Sequence, residues 1–214
     1  YSETARNRME DMIRDSDNAA ANWFIRLIGG PAAVQRLLSR NYGGILQDFL
    51  LVEYIPPNGR TYRNKASVHD YSRFLYALWS RALPSSAEIK RLMSLPKRDR
   101  LYSGAQGVPP ETEIYSKTGT TSRLCADIGI LVARRGDGKR YPYIVIGVIQ
   151  KGRSANSYFD WMQDRGDVIR RVSGMVYEEI SRRHHFEDFD SRSAGLAEGG
   201  GKNKPSLQMI RLGL

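Results

Sequence analysis

Apolar positions recur at helical spacing through the first third of the chain. Ser2 through Ile13 places Ala5, Met9, Met12 and Ile13 on one face, which predicts a helix. Ala19 to Ile28 repeats the pattern and stops at Gly29-Gly30, and Pro31 then opens a third helix, where its missing N–H costs nothing. Residues 41 to 66 lose the periodicity and carry the turn signals Gly43-Gly44, Pro56-Pro57 and Asn58-Gly59. Irregular segments of that length in a compact domain are usually functional or mobile. Ser67-Val68-His69-Asp70 reads as the cap of a helix running to about Arg81, and Ser85 with Glu88 as a capping box for a short helix that ends before Pro96. From about residue 111 the period falls to two, predicting strands at Glu113 to Ser116, Ala126 to Arg134 and Tyr141 to Gln150. The glycine-rich loop 135–139 joins the last two as a hairpin, so the sheet is antiparallel. A last amphipathic stretch, Asp164 to Arg183, sets Val168, Ile169, Val172, Met175, Val176 and Ile180 to cover one sheet face. After Glu187 the composition turns to Gly, Ser, Lys and Asn and reads as a flexible tail. The fold class is α/β of the α+β type: a helical lobe over 1–110, an antiparallel sheet with its covering helix over 111–186, and the tail 187–214.

Composition narrows this picture. With 214 residues, 41% hydrophobic and 26% charged, the chain can bury a core as one domain or a small two-lobed unit. No apolar run approaches the roughly 18 to 20 residues of a membrane span, and no charged start precedes an apolar block, so neither a span nor a signal peptide is expected within it. It begins with Tyr1 rather than Met, which suggests that an upstream segment has been removed. The net charge of +10 comes from basic residues scattered among acids, without a basic stripe interleaved with aromatics. Nucleic acid is therefore not an expected partner, and an anionic substrate or cell-envelope surface fits the charge equally well. A single cysteine, Cys125, excludes an internal disulfide and a multi-cysteine zinc site, and reads as a small buried residue. His184 and His185 close a helix and read as solvated or dipole-favoured, so no metal or other cofactor is expected. Trp23, Trp79 and Trp161 read as packing residues.

Two tripeptides change the picture again. Ser16-Asp17-Asn18 stands between the first two helices, and Lys117-Thr118-Gly119 closes the first strand. Alone, the first is an ordinary N-cap and the second an ordinary strand exit. Together, in this order and on these elements, they match two of the three motifs of active-site serine β-lactamases and penicillin-binding proteins. The surrounding segments "SDNAAANWFIRLIGGPAAVQRLL" and "SKTGTTSRLCADIGILVARRGDGKRYPYIVIGVI" resemble the same superfamily, in particular class A β-lactamases, and the likeness runs over roughly residues 3 to 183.

The resemblance implies a helical lobe beside an α/β lobe, with the site in the seam, and it implies roles. Ser16 would pass a proton to the leaving nitrogen, and Asn18 would hold the substrate's amide side chain. Lys117 would supply positive charge and bridge to Ser16, Thr118 would hydrogen-bond the substrate carboxylate, Gly119 would let the backbone approach, and Thr120 would lend its N–H to the oxyanion hole. Asp17 would brace the loop. Arg123 is either a second carboxylate anchor or a solvated residue. Glu53 is the candidate water-activating base or an ordinary loop carboxylate; Asn58 follows it by five residues, where class A enzymes have four.

The third motif, Ser-x-x-Lys on a helix upstream of Ser16, is absent. The only literal match, Ser94-Leu95-Pro96-Lys97, lies downstream and contains a proline that breaks the helix it requires. The nucleophile, the family's opening helix and its first two strands are therefore expected outside this chain, which alone should be inert toward β-lactams. Strand 141–150 would then present an apolar edge to a partner, either an N-terminal fragment or another copy. The resemblance implies a class A β-lactamase-like serine hydrolase of β-lactam amides, located outside the cytoplasmic membrane. A D,D-peptidase or transpeptidase acting on peptidoglycan stem peptides is the alternative enzyme, and a non-catalytic module binding cell-wall peptide or a partner is the alternative from another class.

Overall fold

The computed structural model describes residues 1–56 and 63–187. The chain divides into two compact units, Tyr1–Lys97 and Arg98–Leu214.

The first unit is helical. Ser2 caps α1 (Glu3–Glu10), its hydroxyl accepting from the Ala5 N–H. The helix runs on into a π-helical turn, Asp11–Asp15, that ends at Ser16. Asp17 caps α2 (Asn18–Leu27), with Oδ1 accepting from the Ala20 N–H at 2.8 Å. Gly29 (φ 103°) and Gly30 (φ 94°) turn the chain through backbone angles that a side chain would oppose, and α3 (Pro31–Tyr42) starts on its proline. The expected cap opens α4 (Val68–Trp79), in the form of a capping box: Ser67 Oγ accepts from the Asp70 N–H while the Asp70 carboxylate accepts from the Ser67 N–H. Asp70 is fully buried and also accepts from the Asp48 N–H and from Arg73 Nη2 at 2.6 Å; Arg73 Nε in turn donates to the Ile45 carbonyl. One acid thus ties α4 to the irregular segment before it. That segment is pinched at its base by paired backbone bonds between Leu50 and Lys65, both 2.8 Å.

The expected capping box at Ser85 does not form. Ser85 adopts φ 56°, outside the extended region a capping residue needs, and makes no side-chain cap bond to α5 (Ser86–Met93). Glu88 pairs instead with Arg91 at 2.8 Å.

The second unit is a sheet with one long helix. β1 (Glu113–Thr120), β2 (Leu124–Arg134) and β3 (Arg140–Gln150) pair antiparallel in the order β1-β2-β3. β1 runs four residues past the predicted end at Ser116, so Lys117-Thr118-Gly119 lies inside the ladder. The hairpin 135–139 closes with Arg135 N–H to the Lys139 carbonyl at 2.9 Å. α6 (Tyr158–Arg183) starts earlier than predicted because Ser157 Oγ accepts from the Asp160 N–H and Trp161 is already buried in its first turn. Ile169, Val176 and Ile180 of α6 pack with Leu101, Cys125, Leu131 and Tyr143 in the core. Each such aliphatic side chain contributes about 1.5–3 kcal/mol on full burial. Gly147 lets α6 lie close to β3, since a Cβ there would stand 2.9 Å from Ile169 Cγ2.

The unit boundary falls at residue 97, ahead of the predicted 110, because Arg100 and Leu101 are tied to the sheet and α6. The Arg100 N–H donates to Asp127 at 2.6 Å, and Ser173 Oγ donates to the Leu101 carbonyl. Among the described residues, β3 pairs with β2 alone and is a terminal strand. The His184 ring packs 4.2 Å from that of Tyr141. Cys125 is fully buried, and burial pushes its thiol pKa up. Among the described residues no helix is long and apolar enough to cross a membrane. The predicted Asn58-Gly59 turn and nearly all of the predicted tail lie outside the described residues.

Candidate functional site

In the helical unit the site begins with backbone geometry. The π-helical turn brings the Ser16 N–H and the Asp17 N–H to a single acceptor, the Asp11 carbonyl, the latter at 3.2 Å. Single π-turns within helices occur frequently at functional sites. Ser16 follows with φ 57° and ψ 39°, a left-handed conformation that costs a non-glycine residue about 1–2 kcal/mol and clusters at sites where a side chain must be aimed. Asp17 spends one carboxylate oxygen on the Ala20 N–H, as the N-cap of α2. Asn18 is the first residue of α2, so Ser16 and Asn18 flank a rigid cap.

One turn beyond Asn18, on the same face, stands Asn22. Its amide clamps the irregular loop at one residue: Nδ2 donates to the Ile55 carbonyl at 2.9 Å, and Oδ1 accepts from the Ile55 N–H at 2.8 Å. The loop position fastened to α2 is thus aliphatic. Sequence reasoning missed Asn22, although an amide four residues after Asn18 in an apolar helix was the available signal.

Glu53 lies two residues earlier and is engaged elsewhere. Its Oε1 accepts from the Arg63 N–H at 2.7 Å and its Oε2 from Arg63 Nε at 2.8 Å. Asn64 reinforces the closure: Oδ1 accepts from the Val52 and Glu53 N–H groups, and Nδ2 donates to the Glu53 carbonyl. The Arg63 guanidinium, and after it the Arg63 N–H, hold the Glu53 carboxyl below its ordinary value. A general base works best with a pKa near the operating pH, so the pairing weakens Glu53 in that role. Asn58 lies outside the described residues.

The literal Ser94 to Lys97 match is a helix end. Ser94 Oγ donates to the Arg91 carbonyl, and Lys97 Nζ donates to the carbonyls of Met93 (2.6 Å) and Leu95 (2.9 Å).

In the sheet unit the ladder sets the faces. Thr118 pairs with Asp127 and Thr120 with Cys125, so these four side chains share the face on which Cys125 joins the α6 core. Lys117 and Gly119, opposite Ile128 and Ala126, take the other face. Among the described residues β1 is a terminal strand, so alternate N–H and C=O groups along it point away from β2 and are suited to a bound extended backbone or a developing oxyanion. Lys117 Nζ donates to the Thr118 carbonyl at 3.0 Å. A Cβ on Gly119 would meet Leu124 at 3.7 Å and Ala126 at 3.9 Å, ordinary contacts, so packing does not require glycine there.

After Thr120 the chain turns sharply, with the Thr121 N–H donating to the Leu124 carbonyl at 2.8 Å and Thr121 Oγ1 accepting from the Arg123 and Leu124 N–H groups. Arg123 is exposed, and its carbonyl accepts from the Lys151 N–H at 2.9 Å. Trp161 Nε1 donates to the Thr121 carbonyl at 3.2 Å, and Lys151 Nζ lies 4.3 Å from the Trp161 ring centroid. Arg100, which sequence reasoning also missed, donates through Nη2 to Thr120 Oγ1 at 2.8 Å. An acid at position 127 amid the apolar residues of β2 was the signal that a buried polar group stood behind this strand. Each unit thus presents its own portion of the expected set: Ser16 and Asn18 in one, Lys117, Thr118, Gly119, Thr120 and Arg123 in the other.

A model of the beta-lactamase enzyme family matches residues 3–180. The chain is similar in structure to a β-lactamase from Burkholderia ambifaria, with a TM-score of 0.61 and 20% identity over 83% of this chain and 66% of that one. It is similar to an ancestral class A β-lactamase, with a TM-score of 0.60 and 22% identity over 82% of this chain and 65% of that one. A mutant of PBP-A, solved as an acyl-enzyme complex with penicillin G, matches with a TM-score of 0.64 and 23% identity over 83% of this chain and 62% of that one. The chain therefore spans less than two thirds of the length of these proteins. A search of curated proteins found no match.

Proposed function

The chain belongs to the beta-lactamase enzyme family, and from that premise we propose that it serves a serine acyl-transfer enzyme of the penicillin-binding type, which opens β-lactam amides and releases the acyl group slowly. The observation that carries the slow step is the state of the loop. Glu53 is bound by Arg63, and the residue that Asn22 fastens to the helix of Asn18 is Ile55. Without a poised base, water attacks an acyl-enzyme slowly and the adduct persists. Fast class A hydrolysis, the reading favoured by sequence alone, asks Glu53 to leave its partner.

The remaining roles follow from the chemistry of the groups. Ser16, aimed by its left-handed backbone, relays a proton to the leaving nitrogen. The Asn18 amide holds the amide side chain of the substrate. Lys117 supplies positive charge, and Thr118 and Arg123 receive the substrate carboxylate. Gly119 leaves the backbone open to approach, and the Thr120 N–H faces the oxyanion on a terminal strand whose geometry is preorganised. None of the 214 residues forms a Ser-x-x-Lys ahead of Ser16, so the nucleophile is assigned to residues outside this chain, and the chain alone is expected to be inert. The natural substrate class is then a peptidoglycan stem peptide, met outside the cytoplasmic membrane.

The test uses full-length protein and a fluorescent penicillin, with intact-mass and peptide mass spectrometry. A covalent adduct on a serine of a Ser-x-x-Lys helix, blocked by unlabelled β-lactam, is expected. A folded protein that never labels would leave a binding module, and the acyl-transfer reading would be wrong.

A further inference from the structure

We infer that Arg26 and Tyr54 are positioning residues that set the register of the loop on α2, keeping Ile55 rather than Glu53 at the Asn22 amide. This rests on the acyl-transfer reading above, in which the residue held there decides how long an acyl group stays.

Asn22 cannot make that choice. Its amide binds one backbone N–H and one backbone carbonyl, those of Ile55, and every residue except proline offers the same pair. Pro56, the next residue, has no N–H and cannot take the place. Slippage the other way is open: in an extended chain a shift of two residues keeps each side chain on its face, so Glu53 would arrive where Ile55 stands. The register therefore has to be read from side chains.

Asn18, Asn22 and Arg26 follow at intervals of four and share one face of α2. The Arg26 guanidinium lies 5.4 Å from the centroid of the Tyr54 ring, within the range of a cation–π contact. The Tyr54 hydroxyl reaches Gly30, where a Cβ would stand 3.4 Å from it, so the glycine turn leaves the ring room. Tyr54 is 39% exposed; no core holds the ring, and its place is set by Arg26 and this turn. Two consecutive loop residues are thus fastened to α2, Ile55 by its backbone and Tyr54 by its ring. A slip of two would set Val52 opposite Arg26, and valine has no π face to offer. Arg63 and Asn64 restrain Glu53 as well, so breaking the Tyr54 contact raises the slipped fraction without making it dominant.

The test uses the full-length protein with Arg26→Met and Tyr54→Leu, singly and together, and each again with Glu53→Gln. The readouts are the acylation rate by penicillin, the decay of the adduct by intact-protein mass spectrometry, and hydrogen exchange of the Ile55 amide. Each single variant is expected to acylate at the wild-type rate, while adduct decay and Ile55 exchange quicken by about three- to fivefold, the size of one partly exposed cation–π contact. The double variant should go no further than either single, because both remove the same contact. Adding Glu53→Gln should return the decay to the wild-type rate and leave the faster exchange. Wild-type decay and exchange in Tyr54→Leu, additive effects in the double variant, or faster decay that survives Glu53→Gln would overturn the inference, the last because a merely loosened loop admits water without Glu53. A wild-type protein that never acylates would fell the acyl-transfer reading instead, and Ile55 exchange in the same variants would still decide whether Arg26 and Tyr54 hold the register.

Discussion

In the helical unit, Ser16 is held at φ 57° where a π-helical turn ends, whereas in the sheet unit Lys117 to Thr120 occupy regular ladder positions opposite Cys125 to Ile128. The first arrangement aims a side chain by storing backbone strain at a cap. The second aims backbone groups by continuing a strand and bracing it from behind with Arg100 and Trp161. Under the proposed acyl-transfer reading, the difference follows from what each part would deliver. A hydroxyl relaying a proton must point in one direction, and a left-handed residue between two helix ends does this at a cost of about 1–2 kcal/mol. An oxyanion donor must not move as charge develops, and a strand supported by a buried side-chain network supplies rigidity without strain.

The sharpest way to break this comparison is at Ser16. In full-length protein Ser16→Ala and Ser16→Gly both remove the hydroxyl and should slow acylation by about 10²–10⁴-fold, the range of a lost acid–base group. They should part in stability, glycine exceeding alanine by about 1 kcal/mol in denaturant melts because it accepts the left-handed angles. Equal stabilities would remove strain from the account. Lys117→Met should lower acylation about a hundredfold while shifting stability by no more than about 0.5 kcal/mol, since the ladder does not depend on the ammonium. A large loss of stability would mean that Lys117 serves the fold.

The loop gives the next smaller effects. Ile55→Glu places a carboxylate at the position fastened to α2 by Asn22, and release of the acyl group should quicken by about ten- to a hundredfold. Glu53→Gln should leave release unchanged, as measured by adduct decay, and expose the loop to protease. The pH dependence has a fixed sign. Arg63 depresses the Glu53 carboxyl below its ordinary 4.5, so its contribution to loop closure is present above that value and is lost as pH falls through the lower folded value. Loop proteolysis that rises at neutral pH, or release that collapses in Glu53→Gln, would restore Glu53 to the chemistry.

Much of the frame was legible from periodicity and caps. Pro31, Gly29-Gly30 and the Ser67/Asp70 box stand where local rules put them, because they act within four residues of themselves. Ser85 broke the same rule: a capping sequence is sufficient only when its residue is extended, and Ser85 is left-handed at φ 56°. The period-two run of β1 ended at Ser116, with Lys117-Thr118-Gly119 read as closing the strand, and pairing with β2 carries the ladder through them to Thr120. The candidate tripeptides were visible as motifs. Their supports, Asn22 to Ile55 over 33 residues, Arg63 to Glu53 across the loop and Arg100 to Thr120 between segments, were not, since each bond joins residues that only folding makes neighbours.

The most direct measurement is the lifetime of the acyl-enzyme: full-length protein loaded with penicillin, excess ligand removed, and the adduct followed by intact-protein mass spectrometry. An adduct that forms and then persists for hours is the outcome expected from a loop whose carboxylate is held by Arg63. Release within seconds would show that a base is poised after all, and would contradict the reading of the loop.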